Sequence, residues 1–159
     1  MTTKNSTLVA NFEATPNVAN DAHLLHGVKR VAQGNVALAA GDSTDNDIVM
    51  LAPIPANASI TALNIGSDNL GGSCTFNVGL YTTAGVVKDE DVFATLVADA
   101  AGMTDVRFEA ANINTTGQYV YELAGDSNAE EGQYYVAATF SATGGTAGDM
   151  AFIIEYVVN

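Results

Sequence analysis

The sequence predicts an all-β fold: a single antiparallel β-sandwich of jelly-roll type, residues 27–159, preceded by an extended N-terminal arm, residues 1–26. Three observations carry this. Three segments alternate strictly between apolar and polar residues, the period-two signature of a strand with one buried face. About eight short apolar runs are separated by turns rich in Gly, Asn and Asp. No segment shows the 3.6-residue period needed for an amphipathic helix of about ten residues, and no repeat of about 20–50 residues points to a solenoid or propeller.

The arm comes first. Pro16 and the four asparagines Asn5, Asn11, Asn17 and Asn20 interrupt any period, leaving Leu8, Val9 and Phe12 as apolar anchors. Such a segment has little structure of its own and is expected to order against a partner surface. Strand patterns begin after Gly27. Val28–Ala39 alternates in its first half and continues through Asn35-Val-Ala-Leu-Ala. The turn Gly41-Asp-Ser-Thr-Asp-Asn-Asp leads to Ile48-Val-Met-Leu, and Pro53, Pro55 and Asn57 punctuate the chain before Ile60–Ile65.

Ser73–Tyr81 gives the clearest alternation: Cys74, Phe76, Val78 and Leu80 point one way. Gly85 turns the chain into a segment opened by Val86-Val87. Val92–Ala98 and Val106–Phe108 read as shorter strands, and Tyr119–Leu123 as either a strand or one helical turn. Gln133–Ser141 places Tyr134, Val136, Ala138 and Phe140 on one face; Met150, Phe152, Ile154 and Tyr156 do the same on the last strand. Gly144-Gly145 and Gly148-Asp149 bound the loop between them, so these two strands are expected to form a hairpin. Phe76, Phe140 and Phe152 should share one core, because a one-residue slip would turn each set outward.

The 159 residues fit one domain, large enough to fold without a disulfide or metal. Cys74 is the single cysteine, which excludes an intramolecular disulfide and a thiolate cluster and is best read as a small buried hydrophobe. Five Lys and Arg against eighteen Asp and Glu give a net charge of −13, a field that disfavours nucleic acid and anionic membrane as partners. Only 14% of residues are charged while 48% are hydrophobic, so the chain is not of the disordered class. No apolar run reaches signal-peptide or membrane-span length. Synthesis in a cytoplasm is therefore expected, and the sequons at Asn5, Asn57 and Asn114 read as products of an Asn- and Thr-rich composition.

An enzyme needs a nucleophile beside a base, a metal, or carboxylates with separated pKa values. The supply is thin. His23 and His26 are the only histidines, both in or beside the irregular arm, and no nucleophile-elbow, zinc-helix or phosphate-loop motif occurs. The clusters Asp42/Asp45/Asp47, Asp89/Glu90/Asp91 and Asp126/Glu130/Glu131 offer the oxygen ligands Ca²⁺ prefers, yet none follows an EF-hand pattern and solvated turns are the simpler reading. Tyr81, Tyr121 and Tyr135 are the candidates for a sugar platform in a chain without Trp. The expectation is a chain without catalytic residues, metal or cofactor.

The stretch Val31-Ala-Gln-Gly-Asn-Val-Ala-Leu-Ala-Ala-Gly-Asp-Ser-Thr-Asp-Asn-Asp-Ile-Val-Met-Leu-Ala-Pro-Ile-Pro-Ala-Asn-Ala-Ser-Ile, with Asp68-Asn-Leu-Gly-Gly-Ser-Cys-Thr-Phe-Asn-Val-Gly-Leu-Tyr, resembles small virion proteins of tailed bacteriophages: head decoration, cement or minor structural proteins. The likeness runs from about Gly27 to the C-terminus and lies in strand-turn phrasing rather than in a catalytic motif. It implies a β-sandwich on the outside of an assembled capsid, with the major capsid protein as partner, and a homo-oligomer, often a trimer. The interface residues expected on this reading are Leu8, Val9 and Phe12 of the arm and the basic pair Lys29/Arg30 at its junction with the first strand. The rival functions are a tail or fibre component binding host glycans, and a Ca²⁺-dependent hydrolase or lectin on the same scaffold.

Overall fold

A computed structural model describes residues 4–100, 102–110 and 113–159. Eight strands follow one another: β1 (Lys29–Leu38), β2 (Ile48–Pro55), β3 (Ala58–Ser67), β4 (Thr75–Thr82), β5 (Val87–Ala98), β6 (Thr104–Asp105), β7 (Gln133–Ala142) and β8 (Gly148–Val158). They form two four-stranded antiparallel sheets, ordered β1-β8-β3-β6 and β2-β7-β4-β5. The pairs β1/β8, β2/β7, β3/β6 and β4/β5 sum to one index, as if one long hairpin had been rolled over two layers. This is the jelly roll the sequence predicts.

The three alternating segments land as expected. Phe76, Val78 and Leu80 are fully buried, as are Tyr134, Val136, Ala138 and Phe140, and Met150, Phe152 and Ile154 join the same core. Phe76 stands opposite Phe140 in the β4–β7 ladder, and their rings meet edge to face at 6.0 Å. Cys74 is buried with them, where burial raises its thiol pKa.

Two strand expectations are corrected. Gln133–Ala142 and Gly148–Val158 are consecutive but do not form a hairpin: β7 pairs with β2 and β4, and β8 with β1 and β3. Alternation reports which face of a strand is buried, not which strand lies beside it. The loop crosses between layers instead, held by Gly144 N–H on Ser43 O (2.8 Å) and Thr146 N–H on Leu70 O (2.7 Å). Val106–Phe108 is not a strand. Strand β6 stops at Asp105, whose side chain accepts from the Leu63 and Arg107 amides, and the chain turns inward so that the neighbours Val106 and Arg107 are both buried.

Arg107 has no exposed surface. Its Nε donates to Ile60 O (3.0 Å), Nη1 to Thr115 Oγ1 and Nη2 to Thr115 O (both 3.2 Å), and its guanidinium lies over the rings of Phe93 and Phe108 at 5.2 and 4.5 Å. Among the described residues it has no carboxylate in ion-pair contact, and burial lowers its pKa to about 10. The side chain ties β3 to the long β6–β7 connection. That connection ends in α3 (Val120–Leu123), so Tyr119–Leu123 takes the helical of its two expected forms. No described helix is long and apolar enough to cross a membrane.

Candidate partner-binding surface

The N-terminal segment is not an extended arm. Among its described residues it forms α1 (Thr7–Glu13) and the single turn α2 (Ala22–Leu25). Ser6 caps α1 through its hydroxyl on Val9 N–H, and the helix ends before Thr15, where the following Pro16 disfavours helical backbone. The asparagines that interrupt the sequence pattern are what fold the segment. Asn20 accepts from Asn11 Nδ2 (2.8 Å) and donates to Leu8 O (3.1 Å), Asn17 Nδ2 donates to Phe12 O (2.7 Å), and Asn5 Nδ2 reaches Glu13 (2.8 Å). The result is a hook, doubled back on itself.

The hook is tethered to the sandwich by His23. Its Nε2 lies 3.0 Å from Gly117 O, and Tyr119 Oη lies 2.9 Å from its Nδ1. A carbonyl can only accept, so Nε2 carries a proton, and in the neutral ring Nδ1 accepts from the phenol. Asn159 Nδ2 donates to the same phenol oxygen (3.0 Å), and the rings of His23 and Tyr119 lie 4.4 Å apart. Gly117 has φ +80°, the left-handed region that favours glycine, and it lies against the Leu24 side chain of α2. His23 is thus a structural strut with both ring nitrogens engaged.

Leu8, Val9 and Phe12 share one face of α1 and, with Leu25 and Asn20, line a cup of about 240 Å³. The expected arm residues are therefore brought together. Phe12 is 73% exposed. Of thirteen large hydrophobic residues exposed among those described, seven fall between Val9 and Val31, which places the main apolar surface on the hook and the start of β1.

The basic pair divides. Lys29 Nζ sits 2.6 Å from Glu155 on the neighbouring strand. Arg30 makes no hydrogen bond or ion pair among the described residues. Elsewhere Lys88 pairs with Asp126 at 2.8 Å and Arg107 is buried. Lys4 and Arg30, at either end of the hook, are thus the cations left exposed and unpaired among the described residues, on a chain of charge −13.

Each carboxylate cluster has at least one member engaged by protein groups. Asp42 accepts from Ala39 N–H (2.9 Å), and Asp47 accepts from the Thr44 amide and hydroxyl, which lower its pKa. Asp89 accepts from Asp91 N–H (3.2 Å). Asp126 receives Lys88 and the Tyr134 hydroxyl, and both hold its carboxyl below the ordinary range. Among the described residues no three His, Cys, Asp or Glu side chains converge as a metal site. Tyr81, offered as a sugar platform, is 2% exposed with its hydroxyl 2.6 Å from Thr139 Oγ1, so it can present no ring to a ligand. Tyr121 stacks on Tyr119 at 5.5 Å and is half-buried, as is Tyr135.

The sequence reading missed Arg107 and the His23 strut. An arginine between Val106 and Phe108 carries no visible mark of burial. The partners of His23 lie 94 and 96 residues away.

No family model matches the sequence, and no curated protein matches it. Solved structures do. The chain aligns over 100% of its length with 100% of a chain in the cyanophage Pam1 capsid asymmetric unit, at 18% identity and a TM-score of 0.59. It aligns over 84% of its length with 86% of a chain in the capsid of Ralstonia phage GP4, at 17% identity and a TM-score of 0.58. The likeness establishes a shared fold, end to end in the first case.

Proposed function

We propose that this chain is a non-catalytic structural protein of a bacteriophage virion, bound to the outside of the assembled capsid and stabilising it. The observation that carries the reading is the sharing of fold, over the full length of both chains, with a chain of a phage capsid structure. The hook supports it independently. A folded segment that keeps Val9, Phe12 and Leu25 in water has a surface to bury. These side chains are 42–73% exposed, so covering what remains of each contributes roughly 1–2 kcal/mol before the costs of association.

The partner on this reading is the major capsid protein, met by the cup of Leu8, Val9 and Phe12, with Arg30 supplying an unpaired cation at its edge. Lys29, held by Glu155, contributes little there. A protein that binds the mature shell alone stabilises that shell by mass action, and attachment at several points as a homo-oligomer multiplies the effect without new contacts. The second reading, glycan recognition by a tail component, loses a proposed platform in the buried Tyr81.

The test uses virions of the phage that encodes the chain. Particles prepared without the protein should bind it on re-addition and should then resist heating or osmotic shock better. A chain lacking residues 2–20 should fold and bind more weakly. Location of the protein in tails alone, or unchanged affinity of the truncated chain, would overturn the proposal.

A further inference from the structure

Strand β5 pairs with β4 at Phe76↔Val97 and Val78↔Ala94, so Thr95 and Leu96 together stand opposite the single residue Asn77. The extra residue makes a bulge, which interrupts the ladder and re-aims a side chain. Leu96 takes φ +52°, the left-handed region that glycine and asparagine tolerate and leucine does not favour. The other two non-glycine residues found there among those described are Asn46, which tolerates it, and the small Ala100.

The conformation is held by side chains from elsewhere. Asn77 Oδ1 accepts from the Leu96 amide (3.0 Å), and Glu109 Oε2 from the Thr95 amide (2.9 Å). A strained backbone persists where its surroundings over-determine it, as they do here. The leucine adds little to the core, because it is 64% exposed. Strain and an exposed apolar side chain are both unfavourable in the single chain. Both are accounted for if another molecule covers Leu96.

The neighbours of Leu96 say what that molecule is like. At the outer edge of β5 the Thr95 amide and the Phe93 carbonyl are already engaged, by Glu109 and by the Ala110 amide, so an added strand has no ladder to join there. The contact is left to the side chain. The charged groups beside Leu96 are carboxylates: Glu109 on the adjacent amide, and Asp99 three residues on. The cations are committed or elsewhere, with Arg107 buried, Lys88 on Asp126, Lys29 on Glu155, and Lys4 and Arg30 at the ends of the hook.

We infer that Leu96 is a fixed apolar knob that enters an apolar socket on a protein partner, with Lys or Arg side chains at the rim of the socket meeting Glu109 and Asp99. The inference rests on the function proposed above, under which that partner is a protein of the phage shell. The contact is separate from the cup. Asn77 pairs with Thr139, and roughly 20 Å of strand separates Thr139 from Gln133, the end of β7 next to which Ala56 bonds the Tyr121 amide and so the segment that holds the hook.

The test uses particles that lack this protein and takes two readouts for each variant: affinity for the particles, and unfolding of the free chain. Leu96→Gly relieves the strain, so its melting temperature should rise by about 2–4 °C. Its affinity should fall by about fivefold or more. A weaker binder with the more stable fold cannot owe its loss to unfolding. Leu96→Met should keep most of the affinity, and Leu96→Glu should bind better than Leu96→Lys because the rim of the socket is basic. A Leu96→Gly chain that is no more stable than the parent, or that binds as well, would overturn the inference, as would tighter binding by Leu96→Lys than by Leu96→Glu. Particles that take up none of the parent chain overturn it together with the proposed function. Uptake indifferent to Leu96 overturns it alone.

Discussion

Replacing Arg107 with methionine should destabilise the fold by about 2–4 kcal/mol, and the reasoning turns on what the guanidinium leaves behind. Methionine fills much of the space of the arginine stem and can lie against Phe93 and Phe108, so the cavity term that dominates large-to-alanine changes is small. The charge itself is no asset to a buried site: desolvation lowers its pKa to about 10, so removing it returns a real penalty. Against that stand three acceptors, Ile60 O, Thr115 O and Thr115 Oγ1, each of which loses a charged donor. A buried acceptor left without its donor costs about 1–3 kcal/mol, a cost that falls in full on Ile60 O and only in part on the half-buried Thr115 oxygens. The acceptor losses outweigh the returned desolvation. Urea unfolding should show a lower midpoint at unchanged slope, and the melting temperature should fall by about 4–16 °C for a chain of this size. Arg107→Lys should be intermediate, since an ammonium cannot reach both β3 and Thr115. If Arg107→Met is as stable as the parent to within about 0.5 kcal/mol, the residue is tolerated rather than needed, and its role as the tie between β3 and the β6–β7 connection is wrong.

Further outcomes follow from the same geometry. The Asp126 carboxyl is held low by Lys88 and the Tyr134 hydroxyl, so its contribution is present above the ordinary carboxylate pKa of about 4 and is lost as pH falls through the lower folded value. Asp126→Asn should therefore cost about 1 kcal/mol at neutral pH, by urea midpoint, and the gap to the parent should close on acidification below about pH 4. His23→Phe keeps a ring against Tyr119 but removes the bonds to Gly117 O and the Tyr119 phenol. Limited proteolysis should then release the hook while the sandwich core, followed by amide exchange in β4 and β7, stays protected.

The sequence revealed burial well and adjacency poorly, and the difference is physical. Phe76, Phe140 and Phe152 were legible because a strand with one wet face must alternate, whatever stands beside it. Strands β7 and β8 show the limit: the same alternation fits a hairpin and a crossover between layers, and the loop's bonds to Ser43 and Leu70 decide, with partners over seventy residues upstream. Charged and amide side chains were misjudged for a related reason. Asn11, Asn17 and Asn20 break a hydrophobic period and so read as disorder, yet an amide that both donates and accepts can close a hook no apolar pattern predicts. Leu8 and Phe12, four residues apart behind Ser6, were the visible trace of α1. Leu25, the remaining wall of the cup, lay in a segment with no period at all.

Prefolding changes what the hook can do. An unstructured arm would have to lose backbone and side-chain freedom as it docks, and that cost is subtracted from whatever its apolar residues gain. Here the cost falls on the chain itself, through Asn20, Asn17 and the His23 strut, before any partner arrives. Val9, Phe12 and Leu25 are consequently held at fixed positions in water, an arrangement unfavourable for an isolated chain. It is favourable where the same surface is covered in the working assembly. Loosening the hook without touching its apolar residues, as His23→Phe does, separates the two ideas. If the apolar surface alone matters, affinity for particles should be kept; if its preorganisation matters, affinity should fall though every contacting side chain remains.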